Sequence, residues 1–466
     1  MKYDCFIGIG NYSKYFLLIL GICLFKFLKQ SLFNFFQIYP PSQSGIFGFQ
    51  PILNGHFVIQ SIYTYISYII FSLLLKLITK RLSKNDDSNI LESQTSRNQS
   101  LKIISQSRSF DTEPDKINTK KLLKAIAICT VIVIHVDFSK VMFLYDVILF
   151  NIWTFYIIFI LLFMKRHFII QIFRHQKYSM IFVIVICTIL LLLSTFFPYN
   201  EQSDKNAYQK VKAITGSYSY FLLFLFLFII LNCMTAFFLV YSKALMEIEM
   251  IPPYIIILIT GIIGLILNLI LLAFTSRFKC TMNNFIKNIC IAFSNEGAYY
   301  DNLLIYFSNM KLKYNDSSRS KEFFIEIFVV CPFYLIFSFL EFACQMFAVY
   351  YLDPNYILIK DPIYFGILRL ILLFYNIKNL STYLYIYQFF LLEFAEIFAF
   401  LGYLVYLEIL ELRFCGLDQD LRRKIIARTA KETNKTLNEM QIISDDNSQN
   451  SKGMDDSFVS NEDYIF

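Results

Sequence analysis

Long apolar runs are the feature that most restricts what this chain can fold into. A membrane span takes about 20 apolar residues, and the runs long enough for one, with little charge at their centres, are 15–36, 57–79, 122–138, 142–163, 178–197, 218–241, 254–275, 323–349, 362–378 and 382–409. The chain is 57% hydrophobic and only 17% charged, which is too apolar for soluble domains. Lipid offers no partner to backbone N–H and C=O groups, and the runs are continuous rather than alternating. We therefore predict an all-α, multi-pass membrane protein with about ten transmembrane helices in the lipid bilayer.

Lysine and arginine in the loops predict the orientation of these spans. Loop 80–121, loop 164–177 and the tail after 409 are all basic, and they lie on one side if the ten spans alternate. Because basic loops stay in the cytoplasm, that side and both termini are predicted to be cytoplasmic. Loop 276–322 is also basic although it falls on the other side, and a hydrophobic element near 288–308 could alter the count.

Two polar segments are not expected to enter the membrane. Residues 83–119 are rich in Ser, Asn, Gln and Asp, and residues 432–466 become acidic. Segments of this composition cannot bury enough apolar surface to fold. We predict a disordered cytoplasmic insert and a disordered acidic cytoplasmic tail.

An even number of spans with both ends on one side suggests two halves, 1–200 and 216–411, of five helices each. Such halves of inverted topology are typical of secondary transporters, whose binding sites lie between them near the midplane. In the seventh span, Gly261 and Gly264 allow close helix approach, and Asn268 can hydrogen-bond to another helix. Pro332 predicts a kink in the eighth span, and residues 350–366 predict a short turn after it.

Polar side chains inside apolar spans are costly, about 2.5–3.5 kcal/mol for a charge at mid-bilayer, and they mark either helix contacts or a pathway. The candidate substrate-binding residues of this kind are Lys26, Asp146, Glu341, Gln345, Arg369, Glu393 and Glu396. One interpretation is that Arg369 and these carboxylates form a neutralising ion pair that only holds helices together. The other is an anion or proton site, in which arginine grips a carboxylate or phosphate.

Five other charged positions are predicted to be interfacial. Lys29 can extend to the outer interface, and Asp137 with Lys140 fits a tight turn between spans three and four. Glu408 and Glu411 fall at the cytoplasmic end of the last span. Arg413 and Arg422 are within their reach.

Soluble catalytic motifs are absent from the sequence. There is no P-loop, no G-x-S-x-G and no H-E-x-x-H, the four histidines are far apart, and the ten cysteines include no C-x-x-C pair. We therefore predict that the protein is not an enzyme and holds no metal or cofactor. Its net charge of +7 suits an anionic membrane face rather than nucleic acid.

Three stretches carry a family resemblance: "IFRHQKYSM" (172–180), "YSKALMEIEMIPPYIIILITGIIG" (241–264), and "YYLDPNYILIKDPIYFG" followed by "EIFAFLGYLVYLEILELRFCG". They resemble a basic turn, a span junction and the last spans of the drug/metabolite transporter superfamily, in its nucleotide-sugar-transporter-like branch. The resemblance implies a carrier of the Golgi or another endomembrane that moves a small polar or anionic metabolite by alternating access. Lys26 and Arg369 would supply positive charge, and Glu341, Glu393 and Glu396 could bind protons.

Two other classes of function remain open. One is a non-transporting membrane scaffold whose insert and tail recruit partners, and the other is a membrane-embedded enzyme that modifies lipids. A scaffold should pack its interior dry, whereas a transporter should hold polar groups there. The expected partners of a carrier are the bilayer and a small-molecule solute, and a homodimer is compatible with the sequence.

Overall fold

The computed structural model describes most of the apolar runs. The described residues are 9–33, 57–93, 119–143, 156–168, 173–196, 219–276, 320–352, 354–364 and 397–410, with a few shorter pieces between them. Nearly all of these residues are helical.

The helices follow the predicted spans closely. They are α1 (Ile9–Phe33), α2 (Phe57–Ser93), α3 (Thr119–Phe143), α4 (Tyr156–Phe168), α5 (Arg174–Phe196), α6 (Ser219–Glu247), α7 (Pro253–Thr275), α8 (Ser320–Ile325), α9 (Cys331–Tyr351) and α10 (Ile397–Tyr406). A π-helical turn (Glu326–Val330) joins α8 to α9, and a 3₁₀ helix (Pro354–Ile359) follows α9. Two strands, β1 (Ile291–Ala292) and β2 (Ala298–Tyr299), form an antiparallel pair in which Ile291 lies opposite Tyr299.

Within the described part of the chain, four helices are long and apolar enough to cross a membrane: Val58–Thr79, Ile229–Glu247, Pro253–Thr275 and Ile327–Tyr351. Large apolar side chains also cover the outside of the bundle, as on α7, where Ile266 and Phe274 are exposed. An apolar exterior around a packed core suits lipid rather than water. The chain is thus a helical integral membrane protein, as predicted, although the described residues do not establish ten spans.

The junction of α2 and α7 depends on two small residues. A Cβ added at Gly261 would come within 3.0 Å of Ile69 and Tyr68, and one added at Gly264 would overlap the ring of Tyr65. The predicted close approach is therefore confirmed. Pro253 occupies the first turn of α7, where its missing N–H needs no partner.

The eighth predicted span is a continuous helical path with a change of winding. The π-helical turn ends at Val330, and Pro332 lies in the first turn of α9. Proline lacks a backbone donor and its ring crowds the carbonyl four residues earlier, so the regular hydrogen-bond ladder is interrupted there. This agrees with the discontinuity predicted at Pro332.

Contacts between helices show how they are oriented. Cys129 and Asp137 of α3 bond to Ile256 and Asn268 of α7, so these two helices run parallel. Four other pairs of helices are antiparallel by the same kind of contact. Helix α3 runs antiparallel to α6, α2 to α7, α1 to α9 and α5 to α10.

One end of the bundle collects the basic residues, and we call it the basic end. There α2, α4, α6 and α9 finish and α3, α5 and α7 begin. The basic side chains described there include Lys121, Lys124, Lys165, Arg166, Arg174 and Lys177. Several described lysines and arginines thus lie at this end, whereas Lys321 of α8 lies at the opposite one.

Four expectations differ from the structure. Asp137 and Lys140 do not form a turn, because α3 continues to Phe143. Helix α2 continues to Ser93, into the segment 83–119 that was predicted to be disordered. The fourth span, predicted at 142–163, appears as α4, which ends only at Phe168. Around 288–308, the described residues form the β1–β2 pair and one helical turn rather than a span.

The turn after α9 lies inside the protein rather than at its surface. Pro354, Ile357, Leu358 and Ile359 of the 3₁₀ helix are buried, and the last three belong to the main hydrophobic core. Lys243 of α6 donates to the carbonyls of Tyr350 and Leu352 at 3.0 Å each, which ties the end of α9 to α6. A helical turn at 360–364 follows and brings polar side chains against α1.

Candidate functional site

A lysine–carboxylate pair joins α1 to α9. Lys29 Nζ donates to Glu341 Oε2, and both side chains are only partly exposed, at 25% and 16%. Lys29 thus finds an acceptor on the neighbouring helix, and its position relative to the outer interface stays a prediction. Glu341 lies inside the bundle as predicted, but its described partner is Lys29 rather than Arg369.

A second lysine lies one turn away on the same helix. Lys26 Nζ is 4.2 Å from the centre of the Tyr364 ring, a distance at which a cation is attracted to the aromatic face. Asp361, Lys360 and Glu341 are the nearby charged groups that act on it. Cys23 of α1 donates to the carbonyl of Lys360 at 3.4 Å, so α1 and the turn at 360–364 are held in contact.

A third polar group centres on Asp137 of α3. Its Oδ2 accepts a hydrogen bond from Asn268 Nδ2 of α7 at 2.7 Å, and its Oδ1 accepts one from Tyr65 Oη of α2 at 3.3 Å. The predicted role of Asn268 as a donor to another helix is confirmed. The predicted turn at Asp137 is wrong, because α3 continues to Phe143, and its position relative to the outer interface stays a prediction.

Tyrosines of α2 and α9 connect these groups. Tyr334 Oη lies 3.0 Å from Thr64 Oγ1, and Lys29 acts on it electrostatically. Tyr68 stacks on Phe342 with ring centres 4.7 Å apart and lies in the fields of both Glu341 and Asp137. We call the whole set the central polar cluster: Lys26, Lys29, Tyr65, Tyr68, Asp137, Asn268, Tyr334, Glu341, Lys360, Asp361 and Tyr364.

The other predicted site residues fall outside this set. Gln345 is on α9 one turn after Glu341 and is half-buried, but the structure gives it no polar contact with the described residues. Asp146, Arg369, Glu393 and Glu396 lie outside the described residues, so their predicted roles stay predictions.

The glutamate at the end of α10 has a partner on α5, while Arg413 and Arg422 lie outside the described residues. Glu408 Oε1 lies 3.2 Å from His175 Nε2 at the start of α5, and that histidine is buried. Nearby, Ser179 of α5 donates to the carbonyl of Gly402. Glu408 is therefore not simply an exposed interfacial residue, because it helps to fasten α10 to α5.

Sequence reasoning missed Lys29, Asp137, Tyr334 and the pair Lys360–Asp361. One signal for the cluster was present in the second span, where Gln60, Thr64 and Tyr68 recur four residues apart and share a face. No local pattern separates Lys360 and Asp361 from ordinary loop residues. Only the burial of the 3₁₀ helix before them brings them to α1.

Comparison of the sequence with models of known protein families gave no match, and comparison with curated proteins gave none either.

The central polar cluster combines charge with adaptable hydrogen-bonding groups. Three lysines (Lys26, Lys29, Lys360) meet two carboxylates (Glu341, Asp361) around α1, which leaves one positive charge in excess. Asp137 adds a carboxylate on the far side of the tyrosines. Such an arrangement can bind an anion near the lysines.

Proposed function

We propose that this protein is a membrane solute carrier that moves a small polar or anionic metabolite by alternating access. The observation that carries the proposal is the Lys26–Lys29–Glu341 group, where lysines of α1 face α9 and the turn at 360–364 inside an apolar bundle. Buried charge in a membrane protein is costly and is associated with substrate or ion pathways. Around α1 the described lysines outnumber the carboxylates beside them, which favours an anion at that place.

The pattern of helix pairing supports the transporter architecture. Helices α1–α5 can be matched in order with α6, α7, α9, the turn at 360–364 and α10. Under this exchange the α1–α9 contact corresponds to α6–α3, and α2–α9 corresponds to α7–α3. The contacts α2–α7 and α5–α10 each join two matched helices, so the exchange leaves them unchanged. Matched helices run in opposite directions, which is the arrangement of inverted repeats. On this basis we propose ten helices in two inverted halves.

The basic end is proposed to face the cytoplasm, with both termini on that side, in the Golgi or another endomembrane. Clustering of lysine and arginine at one end supports this orientation. Asn315 lies in the nominally outer loop 276–322, within an N-D-S triplet that can accept a glycan. We expect Asn315 to carry a glycan. If Asn315 is instead accessible only from the side of the membrane that the basic end faces, the orientation is the reverse.

Uptake into proteoliposomes tests the transport function. The purified chain would be reconstituted and offered a panel of labelled nucleotide sugars, sugar phosphates and dicarboxylates. We expect saturable uptake of at least one anion, reduced at least tenfold by Lys26→Ala and by Arg369→Ala. Lys124→Ala is the matched control, because its ammonium lies at the surface of the basic end and pairs with Glu249.

Two results would count against the proposal. Uptake of none of these solutes by a chain that elutes as a folded protein would favour the scaffold. Uptake that is the same in the Lys26→Ala and Lys124→Ala variants would remove the role of the lysines of α1. The half-buried Lys29–Glu341 pair favours the carrier over a scaffold with a dry interior.

A further inference from the structure

We propose that Asp137 is a proton-binding site of the bundle and that it takes up and releases the coupling proton of the transport cycle; the second part of this rests on the proposed function. Asp137 lies where α2 and α3 of one proposed half meet α7 of the other. A group that both halves hold at once can link its own charge to their relative position.

Asp137 differs from the other carboxylates of the central polar cluster in its partners. Glu341 is paired with Lys29, and Asp361 lies in the field of Lys26. Asp137 accepts hydrogen bonds from Tyr65 and Asn268, both neutral, and in the described part of the chain it forms no ion pair. A half-buried carboxylate that only neutral groups bind is costly in its charged form in a membrane bundle, and a proton can neutralise it.

In the described part of the chain, the charged and titratable groups that face Asp137 from other helices come mainly from α2 and α9. From α2 they are Tyr65 and Tyr68. From α9, Tyr334 and Glu341 interact electrostatically with these two tyrosines. Helix α7 presents the neutral Asn268. Helix α6 meets α3 through Thr235, which bonds to His135, and its own Lys243 and Glu247 pair with each other toward the basic end.

The hydrogen-bonding groups at Asp137 suit both of its charge states. Tyr65 Oη donates to the carboxylate and, after rotation of its O–H, can accept from the protonated carboxyl. Asn268 is 1% exposed, and its Oδ1 is buried without a hydrogen-bond partner. The site therefore has one acceptor more than its donors fill, and a proton on Asp137 supplies the missing donor. Rotation of the Asn268 amide would bring Oδ1 to the carboxyl, while the carbonyl of Gly264 keeps its helical partner, the Asn268 N–H.

The proton step needs no other reactant. A hydronium ion from the aqueous phase gives its proton to an Asp137 oxygen, which leaves water and a neutral carboxyl. Release on the other side of the membrane reverses the step. Protonation removes the charge that strengthens the bond from Asn268, so the contact between α3 and α7 weakens when the proton is bound.

Infrared difference spectroscopy tests the proton site without any solute. The reconstituted full-length chain would be titrated from neutral to mildly acidic pH, and the carbonyl stretch of protonated carboxyls recorded. We expect one carboxyl signal that is lost in Asp137→Asn and retained in Glu341→Gln. Persistence of that signal in Asp137→Asn would overturn the proposal, and so would a signal that responds to added sodium at fixed pH, which indicates a metal cation instead.

Proteoliposome uptake of the same anion panel then tests coupling. An imposed proton gradient should accelerate uptake by the wild type and not by Asp137→Asn, while exchange without a gradient continues. Acceleration that survives in Asp137→Asn would refute coupling through this residue. If the infrared signal belongs to Asp137 but no solute is taken up, the proposed transport function fails while the proton site stands.

A measurement on the wild type covers the case in which Asp137→Asn does not fold. A hydrophobic carbodiimide reacts with protonated carboxyls inside a membrane protein, and mass spectrometry locates the adduct. We expect modification at Asp137 that becomes faster in mild acid, with Glu341 unmodified. Modification of Glu341 with Asp137 unmodified would show that Glu341 binds the proton, and it would overturn the proposal.

Discussion

Replacement of Gly264 by alanine is the sharpest test of how α2 and α7 pack. The new Cβ would overlap Cγ, Cδ1 and Cε1 of Tyr65, a ring that is only 1% exposed and has little room to move. Overpacking of a closely packed core costs about 1–3 kcal/mol. Any shift of the ring also strains the bond from Tyr65 to Asp137, and a hydrogen bond to a charged group is worth about 1.5–3 kcal/mol. Together these terms amount to a loss of about 2.5–6 kcal/mol.

Gly21→Ala is the matched control, because it makes the same substitution within another helix. There the added Cβ meets Cys344 Sγ at 3.6 Å and Phe25 Cε2 at 3.7 Å, which are ordinary contacts. Alanine favours helix over glycine by about 1 kcal/mol, so this variant should be neutral or slightly more stable. Thermal unfolding of the two detergent-solubilised variants gives the comparison.

The argument fails if Gly264→Ala melts at the same temperature as Gly21→Ala. A second check is the double variant Gly264→Ala with Tyr65→Leu, in which the smaller side chain leaves room for the new methyl group. If steric overlap is the cause, the double variant should be more stable than the sum of the two single changes predicts.

Three further predictions concern charged groups. Lys29→Gln and Glu341→Gln should each destabilise the protein, and the double variant should recover part of the loss, since either single change leaves a half-buried charge without its partner; purely additive melting temperatures would contradict this. Lys243→Met should lower stability by about 2–4 kcal/mol, because it removes two hydrogen bonds to carbonyls at the end of α9, and an unchanged melting temperature would argue against it. At the basic end, the hydrogen bond from Lys124 lowers the pKa of Glu249 below its ordinary value of 4.5. The stability from this pair, about 0.5 kcal/mol for so exposed a contact, is present above that pH and is lost as the pH falls through the folded-state pKa. The Glu249→Gln variant should therefore show less acid sensitivity than the wild type, and equal slopes of melting temperature against pH would refute the assignment.

The sequence by itself determined the helical, membrane-spanning character of this protein. An apolar run of span length in lipid must satisfy its backbone internally, so the helices α1, α2, α3, α5, α6, α7 and α9 follow directly from composition. Gly261, Gly264 and Asn268 were also readable, because small residues and an amide on one span can act only through a neighbouring helix. The collection of lysine and arginine at one end follows from the loops in the same way.

Only the tertiary structure decided which polar groups meet. Lys29 and Glu341 are far apart in the chain, and either could have reached another partner; the antiparallel packing of α1 on α9 brings them together. Asp137 was assigned to a turn because a charged pair after an apolar run is typical of an interface. In the structure α3 continues past it, and Asn268 and Tyr65 donate to the carboxylate from two other helices. Hydropathy measures the cost of burying a polar group, whereas the compensating partner comes from another helix and is visible only once the helices are packed.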